Sequence, residues 1–377
     1  NLITLYHLIF VVKIKNIMKV CILGNNLTAL TLAKSLVNLK INVEILYIVK
    51  NLNFSKTRTI GISKSNIDYF NKKIININPL LWKLKKIEIF SDNLSREKLI
   101  NFEKDNEQIF SIIQNRNLYQ ILKKELSNDK YCYSKIFNKK DVSSLKSKNL
   151  IINCESQNII TKKYFSKKIT KKYNSRAFTT IIEHDKIINN TALQIFTNEG
   201  PLAFLPISNN ETSIVFSLNN YRDHKKINIE QLIKEKNFKY KIKKIGKFQS
   251  FDLHSLNLRS YYHDNILAFG DLLHKIHPLA GQGFNMTIRD IKILSNIIKN
   301  RLDLGLPFDK SINIEFENNV KYKNLIFSNG VDLVHEFFNF ERKMNSNLVS
   351  RSVQFLGKNP NINKFFTKIA DKGTLIY

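Results

Sequence analysis

The stretch GDLLHKIHPLAGQGFNMTIRDIKIL, residues 270–294, decides how the chain folds. Asn265 to Phe269 reads as a short buried strand that runs into the Gly270-Asp271 turn. Pro278, Gly281 and Gly283 then forbid a regular element until about Asn285, where an apolar stripe of helical period begins at Ile288, Ile291, Leu294 and Ile298. Gly281 and Gly283 carry no β-carbon, so backbone N–H groups there can approach a planar or anionic group closely. The helix that follows points its positive end at the same spot. Asp271 stands where a carboxylate accepts hydrogen bonds from sugar or polyol hydroxyls. The combination suits a ligand with both hydroxyls and a polarisable ring.

Working outward, Lys19 to Leu23 reads as an apolar strand closed by Gly24. A helix pattern follows (Leu30, Ala33, Leu36, Val37), then a second strand at Val43 to Ile48. Such a β–turn–α–β unit begins a dinucleotide fold, whose fingerprint is three spaced glycines with the pyrophosphate on the helix N-terminus. Here the positions read Gly24, Asn26 and Ala29. Asn tolerates left-handed backbone angles, and Ala still permits close helix–strand packing. The acidic residue expected at the end of the second strand is displaced by Tyr47.

Further on, residues 76–100 hold the only tryptophan, Trp82, ahead of an Ile-rich strand at Ile87 to Phe90, and read as the start of a second sheet. Helical apolar spacing covers Ile109 to Leu126, and NLIINCES (149–156) reads as a buried strand. Short apolar runs at Phe178–Ile182, Ala192–Phe196, Leu202–Ile207 and Thr212–Leu218, separated by Asn/Gly/Pro turns, predict an antiparallel sheet. After residue 300 helical patterns dominate, with Phe327, Phe337, Phe338 and Phe340 offering an apolar surface for core, dimer or membrane contact.

A chain of 377 residues with 43% hydrophobic content buries a large core. The formal charge of +29 raises nucleic-acid binding as a reading, but the lysines are spread along the whole chain beside abundant Asn, Ile, Phe and Tyr. No helix-turn-helix, zinc-knuckle or aromatic–basic pattern accompanies them, so no nucleic-acid partner is expected; attraction to an anionic membrane surface remains open. Cys21, Cys132 and Cys154 show no metal or disulfide spacing, which fits a reducing cytoplasm. No metal site is expected. Residues 2–12 are apolar but too short to span a bilayer, and residues 1–17, ahead of Met18, are expected to be a non-native or over-extended leader.

The 270–294 stretch resembles the second flavin-binding motif of the FAD-dependent aromatic hydroxylases of the para-hydroxybenzoate hydroxylase type. The fuller string (His277-Pro278, Ala280-Gly281-Gln282-Gly283, Asn285, Arg289-Asp290), together with TALQIFTNEGPLAFLPI at 191–207, is similar to the ubiquinone-biosynthesis branch of that family. The resemblance spans roughly residues 18–373. It implies an α/β protein: an FAD-binding dinucleotide fold (18–75, 101–172 and 245–300) interleaved with an antiparallel-sheet substrate domain (76–100 and 173–244) and C-terminal helices (301–377).

The resemblance further implies FAD held by Gly24, Asn26, Ala29, Arg58 of the RTIGIS segment, Arg116, Gly270, Asp271, Gly281, Gln282, Gly283 and Asn285. His277, Pro278, Gly281, Gln282 and Gly283 are flavin-pocket candidates, His277 shaping the pocket rather than acting as a base, and no catalytic residue is assigned. The implied reaction is a flavin C4a-hydroperoxide delivering oxygen from O2 to a polyprenylated phenol. Phe196, Leu202, Phe204 and Leu205 are expected either in ordinary core or along a prenyl-tail channel. Where the family carries an Asp-Gly pair tied to FAD and nicotinamide, this chain has Glu155-Ser156, which leaves the electron donor open between NAD(P)H and a ferredoxin-type partner. The expected setting is cytoplasmic, with peripheral contact at the inner face of the membrane and a ubiquinone-biosynthesis complex as further partners. Two alternatives stand beside this reading: a non-catalytic flavin-fold scaffold subunit, and a soluble aromatic-acid hydroxylase.

Overall fold

The computed structural model describes residues 19–48, 57–94, 97–103, 108–138, 145, 147–219, 227–278, 281–343, 347–359, 368 and 371. The leader expected over 1–17 lies outside them, as do Leu279 and Ala280 of the glycine-rich loop.

The chain runs β1 (Lys19–Leu23), α1 (Leu27–Val37), β2 (Asn42–Tyr47), β3 (Thr59–Ser63), α2 (Lys64–Lys73), β4 (Trp82–Leu84), β5 (Lys86–Ser91), β6 (Lys98–Glu103), β7 (Phe110–Gln114) and α3 (Asn115–Ser127). It continues through β8 (Cys132–Ile136), β9 (Leu150–Asn153), α4 (Ile159–Tyr164), β10 (Lys168–His184), β11 (Thr191–Thr197), β12 (Gly200–Pro206), β13 (Glu211–Leu218), α5 (Ile229–Lys236) and β14 (Ile242–Ile245). The last elements are β15 (Gln249–Leu258), β16 (Tyr262–His263), β17 (Ile266–Ala268), β18 (His274–Lys275), α6 (Gly283–Asp303), α7 (Lys310–Lys343) and α8 (Leu348–Lys358).

Three sheets result. The first orders its strands β16-β17-β9-β1-β2-β8 and is parallel except where β16 meets β17. Strands covered on both faces need continuous apolar sequence, and β1 and β9 supply it: Val20, Ile22, Ile151 and Ile152 are wholly buried. The second sheet runs β18-β15-β10-β13-β12-β11-β5-β6, with β14 against β10. Its inward face places Phe216 of β13 opposite both Phe178 and Leu202, with Phe204 opposite Ile214, to build a second core. The third joins β3, β7 and β4.

The α/β architecture with an interleaved second sheet is present: β17 returns to the first sheet only after β10–β15 have built most of the second. Five expectations need correction. The sheet predicted as antiparallel has one parallel pair, β5 with β11, because β5 enters it from a distant part of the chain. Ile109 to Leu126 is not one helix; Phe110–Gln114 is a strand clasped between β3 and β4, and α3 starts only at Asn115. Trp82 belongs to the small third sheet, its indole N–H donating to the Asn189 carbonyl at 2.6 Å, so the second sheet begins at Lys86 instead. The strand predicted over 149–156 ends at Asn153, because Cys154 to Ser156 turn toward α4. β15 lies within 245–300 yet pairs with β10, so the sheets do not divide at residue 245. Among the described residues no helix is long and apolar enough to cross a membrane.

Candidate flavin site

The first turn of α1 and the Gly270-Asp271 turn are brought together at the ends of β1 and β17. Gly24 adopts φ +110°, and a β-carbon there would sit 3.4 Å from the Glu155 β-carbon. That backbone conformation disfavours any side chain. Asn26 is the N-cap of α1: its Oδ1 accepts from the Ala29 N–H at 3.0 Å, and its Nδ2 donates to the Cys154 carbonyl at 2.7 Å. Where the fingerprint has glycine, this chain therefore uses a side chain to lock the β1, β9 and α1 ends to one another. Gly270 has φ +66°, and a β-carbon would lie 2.6 Å from Thr28 Cγ2 in the first turn of α1. Next to it Asp271 is exposed, its carboxylate open to solvent beside this helix end. Glu155 does not reach outward in the same way: its Oε1 accepts from the Gln157 N–H at 3.2 Å.

The second group surrounds the start of α6. Gly281 has φ +62°, and a β-carbon there would stand 3.6 Å from the Gly61 Cα in the middle of β3. Among the described residues nothing lies within 4 Å of the corresponding position on Gly283. Asn285 is wholly buried and acts as the joint of this region. Its Oδ1 accepts from the Ser63 N–H at 3.0 Å and from Asn66 Nδ2 at 2.9 Å, while its Nδ2 donates to the carbonyls of Gly61 at 3.0 Å and Gly281 at 3.3 Å. Strand β3, helix α2 and the glycine-rich loop are thus tied through one amide. Gln282 is buried, and its Oε1 has no hydrogen-bond partner among the described residues. A buried unpaired acceptor is costly, so a ligand atom at this point has a donor-seeking group waiting for it.

Arg58 precedes β3, where the Asn115 N–H donates to its carbonyl at 3.1 Å, and Arg116 follows Asn115 in the first turn of α3. Both side chains are exposed, and the Arg58 guanidinium lies 6.0 Å from the Phe251 ring centroid. They are neighbours of β3 rather than parts of the buried cradle.

His277 is buried, and neither ring nitrogen has a partner among the described residues. Its ring packs 4.3 Å from the His335 ring and edge-on to Tyr173 at 5.0 Å, between α7 and β10. Burial, with a smaller contribution from His335, lowers its pKa to about 2, so the imidazole is neutral. An imidazole of this kind can shape a pocket or exchange one hydrogen bond, but it is a poor proton acceptor. His274 is different: its Nε2 is 2.6 Å from Asp290 Oδ2, and Asn324 donates to the same carboxylate at 3.1 Å, a closed structural pair between β18 and α6. Tyr173, whose hydroxyl donates to Asp332, and His335 were not legible as site neighbours in sequence, since β10 and α7 lie far from residue 277. Thr28, Gly61 and Asn66 were also missed as individual contacts.

Cys21 and Cys154 are buried in the first core, as expected of small hydrophobes, and burial pushes both thiols up, Cys21 to about 12. Leu202 and Phe204 are fully buried core. Phe196 stacks on Phe338 with ring centroids 3.6 Å apart, and Leu205, like Trp82, Ile87 and Phe110, packs against the buried cluster of Leu84, Ile112 and Ala192 between the second and third sheets. Among the described residues no cluster of His, Cys, Asp and Glu could hold a metal ion.

Residues 167–303 match the FAD binding domain family. The 3-demethoxyubiquinol 3-hydroxylase of Escherichia coli is 30% identical over 152 residues, covering 38% of this chain and 39% of that protein. The ubiquinone biosynthesis monooxygenase COQ6 of Schizosaccharomyces pombe is 34% identical over 116 residues, 30% of this chain and 22% of that protein. An uncharacterized Synechocystis protein is 26% identical over 170 residues, 43% of this chain and 41% of that protein, so the chain spans less than half the length of each of these relatives. In three dimensions the p-nitrophenol 4-monooxygenase of Pseudomonas putida superposes with TM-score 0.74 at 10% identity, over 94% of this chain and 98% of that one. A Klebsiella pneumoniae HpxO variant complexed with FAD gives 0.70 at 10% identity, over 94% and 99%. Residues 167–303 thus resemble an FAD binding domain, and the chain shares the fold of these two solved structures.

Proposed function

We propose that this FAD-binding chain is a monooxygenase that hydroxylates an electron-rich phenolic ring bearing a prenyl tail, in the making of a ubiquinone-type molecule. The observation that carries the reading is a pair of glycine cradles, Gly24 and Gly270 beside the head of α1 and Gly281 against Gly61 of β3, with positive φ at Gly24, Gly270 and Gly281. Relatives named as ubiquinone hydroxylases support the substrate class.

The residues present fit FAD. Asp271, exposed beside the first turn of α1, would accept hydrogen bonds from the ribityl or ribose hydroxyls, and the Gly281–Gly283 backbone would face the ring system. Bound FAD would supply oxygen activation and electron transfer, which no amino-acid side chain provides. The protein's own part is positioning and exclusion of water. Asn285 holds the loop against β3, the backbone N–H groups of that loop and the start of α6 stabilise negative charge electrostatically, and neutral His277 adds no competing charge. Leu205, Trp82, Ile87 and Phe110, partly buried around Leu84, Ile112 and Ala192, give an apolar seam between sheets that suits a prenylated ring. NAD(P)H or a ferredoxin-type protein would supply electrons, O2 the transferred oxygen, and other proteins of ubiquinone synthesis would be partners.

Purified protein should be yellow, and its extracted flavin should be FAD. Asp271→Ala should lower FAD content at least about tenfold, through loss of charge-assisted hydrogen bonds, while leaving the far-UV circular dichroism unchanged. Full FAD occupancy in that variant would sink the role of Asp271. Accumulation of a prenylated phenol one hydroxyl short, in a strain lacking this chain, tests the reaction itself. A second reading, a scaffold without turnover, is favoured by one observation: the Ala29 amide at the head of α1 is already taken by Asn26. A colourless preparation with the same fold would select it.

A further inference from the structure

Helix α7 is 34 residues long and presents an outer face with a row of exposed apolar side chains. Tyr322, Ile326, Leu333, Phe337 and Phe340 are all exposed, Ile326 by 73%. At 100° per residue these five positions fall within a stripe roughly 60° wide. Asn329 and Gly330 border it, and of the charged neighbours Glu336 is paired with Lys171 at 2.8 Å. On α8 a second exposed row reads Leu348, Arg351, Phe355 and Lys358, steps of three and four residues that again share one side of a helix. Here cations alternate with apolar anchors, and Phe355 is 78% exposed.

An apolar stripe of this length on one element is more than the scattered surface hydrophobes of an ordinary protein. Three occupants compete for it: a second copy, another protein, or a lipid surface. Charge decides between them. Two copies of a chain carrying +29 repel one another, whereas an anionic bilayer attracts the same charge. Lysine and arginine beside aromatic and aliphatic anchors is the pattern that lets side chains enter the headgroup boundary while their charged ends stay wet. No helix among the described residues can span the bilayer, so the contact is peripheral. We infer that the α7 stripe and the α8 row dock this protein on an anionic lipid surface, the apolar stripe inserting and Arg351 and Lys358 contacting lipid phosphates. The inference deepens the oxygenase reading, because a prenylated phenol resides in lipid, but it concerns other residues and can fail alone.

The test is flotation of the full-length protein with vesicles of phosphatidylcholine alone and of phosphatidylcholine mixed with phosphatidylglycerol, with no substrate present. Wild type should partition onto the phosphatidylglycerol vesicles, and less so as salt rises. Ile326→Ser/Phe337→Ser/Phe340→Ser should lower that partitioning about a hundredfold, each side chain being taken as partly inserted. Arg351→Glu/Lys358→Glu should lower it at least about tenfold on phosphatidylglycerol vesicles only. All five positions are exposed or on an exposed face, and an unchanged thermal midpoint confirms that each variant folds. Wild-type flotation by either variant overturns the inference. So does equal flotation with pure phosphatidylcholine, or a lipid-free dimer in sedimentation velocity that the serine variant dissolves, which would assign the face to a second copy. Because no flavin chemistry is read, loss of flotation leaves the oxygenase reading untouched, and loss of turnover leaves the docking surface untouched.

Discussion

Replacing Gly270 with Ala probes the contact between the acidic turn and the head of α1. Two costs arise. The backbone at φ +66° is left-handed, which a β-carbon penalises by about 1–2 kcal/mol. The new methyl would also stand 2.6 Å from Thr28 Cγ2 and 3.0 Å from Thr28 Oγ1. Thr28 is β-branched and buried, so it cannot rotate clear, and overpacking of this kind costs about 1–3 kcal/mol. Gly270→Ala should therefore destabilise the protein by about 3 kcal/mol in urea unfolding followed by near-UV circular dichroism, and lower FAD retention with it. In a Thr28→Ala background the steric part vanishes and only the backbone part remains, so the same substitution should cost about 1–2 kcal/mol. The double-mutant cycle then shows a coupling of about 1–3 kcal/mol. Strict additivity, or a wild-type unfolding midpoint for Gly270→Ala, would refute the packing of this turn on α1.

Asn285→Ala strands the Ser63 N–H and the Gly61 carbonyl in the interior and should destabilise by about 2–4 kcal/mol in the same urea assay. His277 predicts a pH effect. Its folded pKa of about 2 lies below the ordinary 6.5, so the unfolded chain binds the extra proton, and stability present above pH 6.5 is lost as the pH falls toward 2. Between pH 7 and pH 5 the loss from this residue is about 2 kcal/mol; unfolding of His277→Asn at both values should show that much less acid sensitivity, and an unchanged slope would contradict it. Anaerobic stopped-flow reduction should be slow with NADPH alone and faster with an acidic ferredoxin-type donor, which the +29 charge would steer; rapid bleaching by NADPH with no partner present would show this to be wrong.

How far the sequence could be read follows from how local each signal is. β1 and β9 announce themselves because strands buried on both faces are simply apolar runs, and the 270–294 stretch combines turn, glycine and helix signals within 25 residues. The start of α3 was hidden because Ile112 and Ile113 suit either a strand or a helix, and no Gly or Pro separates Gln114 from Asn115. The parallel union of β5 with β11 is fixed by tertiary assembly and leaves no local mark. Around the candidate site, the glycines at 24, 270, 281 and 283 were legible as residue types, but their contacts with Thr28 and Gly61 were not. Asn285 stood out only through resemblance; in so asparagine-rich a chain its four-way bonding could not be picked out by composition. The packing of Tyr173 and His335 against His277 requires β10 and α7 to close over a loop far away in sequence.

The order of strands in the first sheet also governs how this protein comes into being during synthesis. β9 waits between β1 and an empty edge until Ile266–Ala268 arrives to pair with Ile151–Asn153, more than a hundred residues later. Until then a nascent chain displays the apolar run Leu150–Ile152 with open hydrogen-bonding groups on one side, a template for pairing with another chain. Closing so large a loop is slow even when it is favourable. Truncation anywhere between β9 and β17 should therefore yield aggregates rather than a smaller folded unit, and the Gly270 turn and the Gly281–Gly283 segment are among the last parts of the molecule to exist.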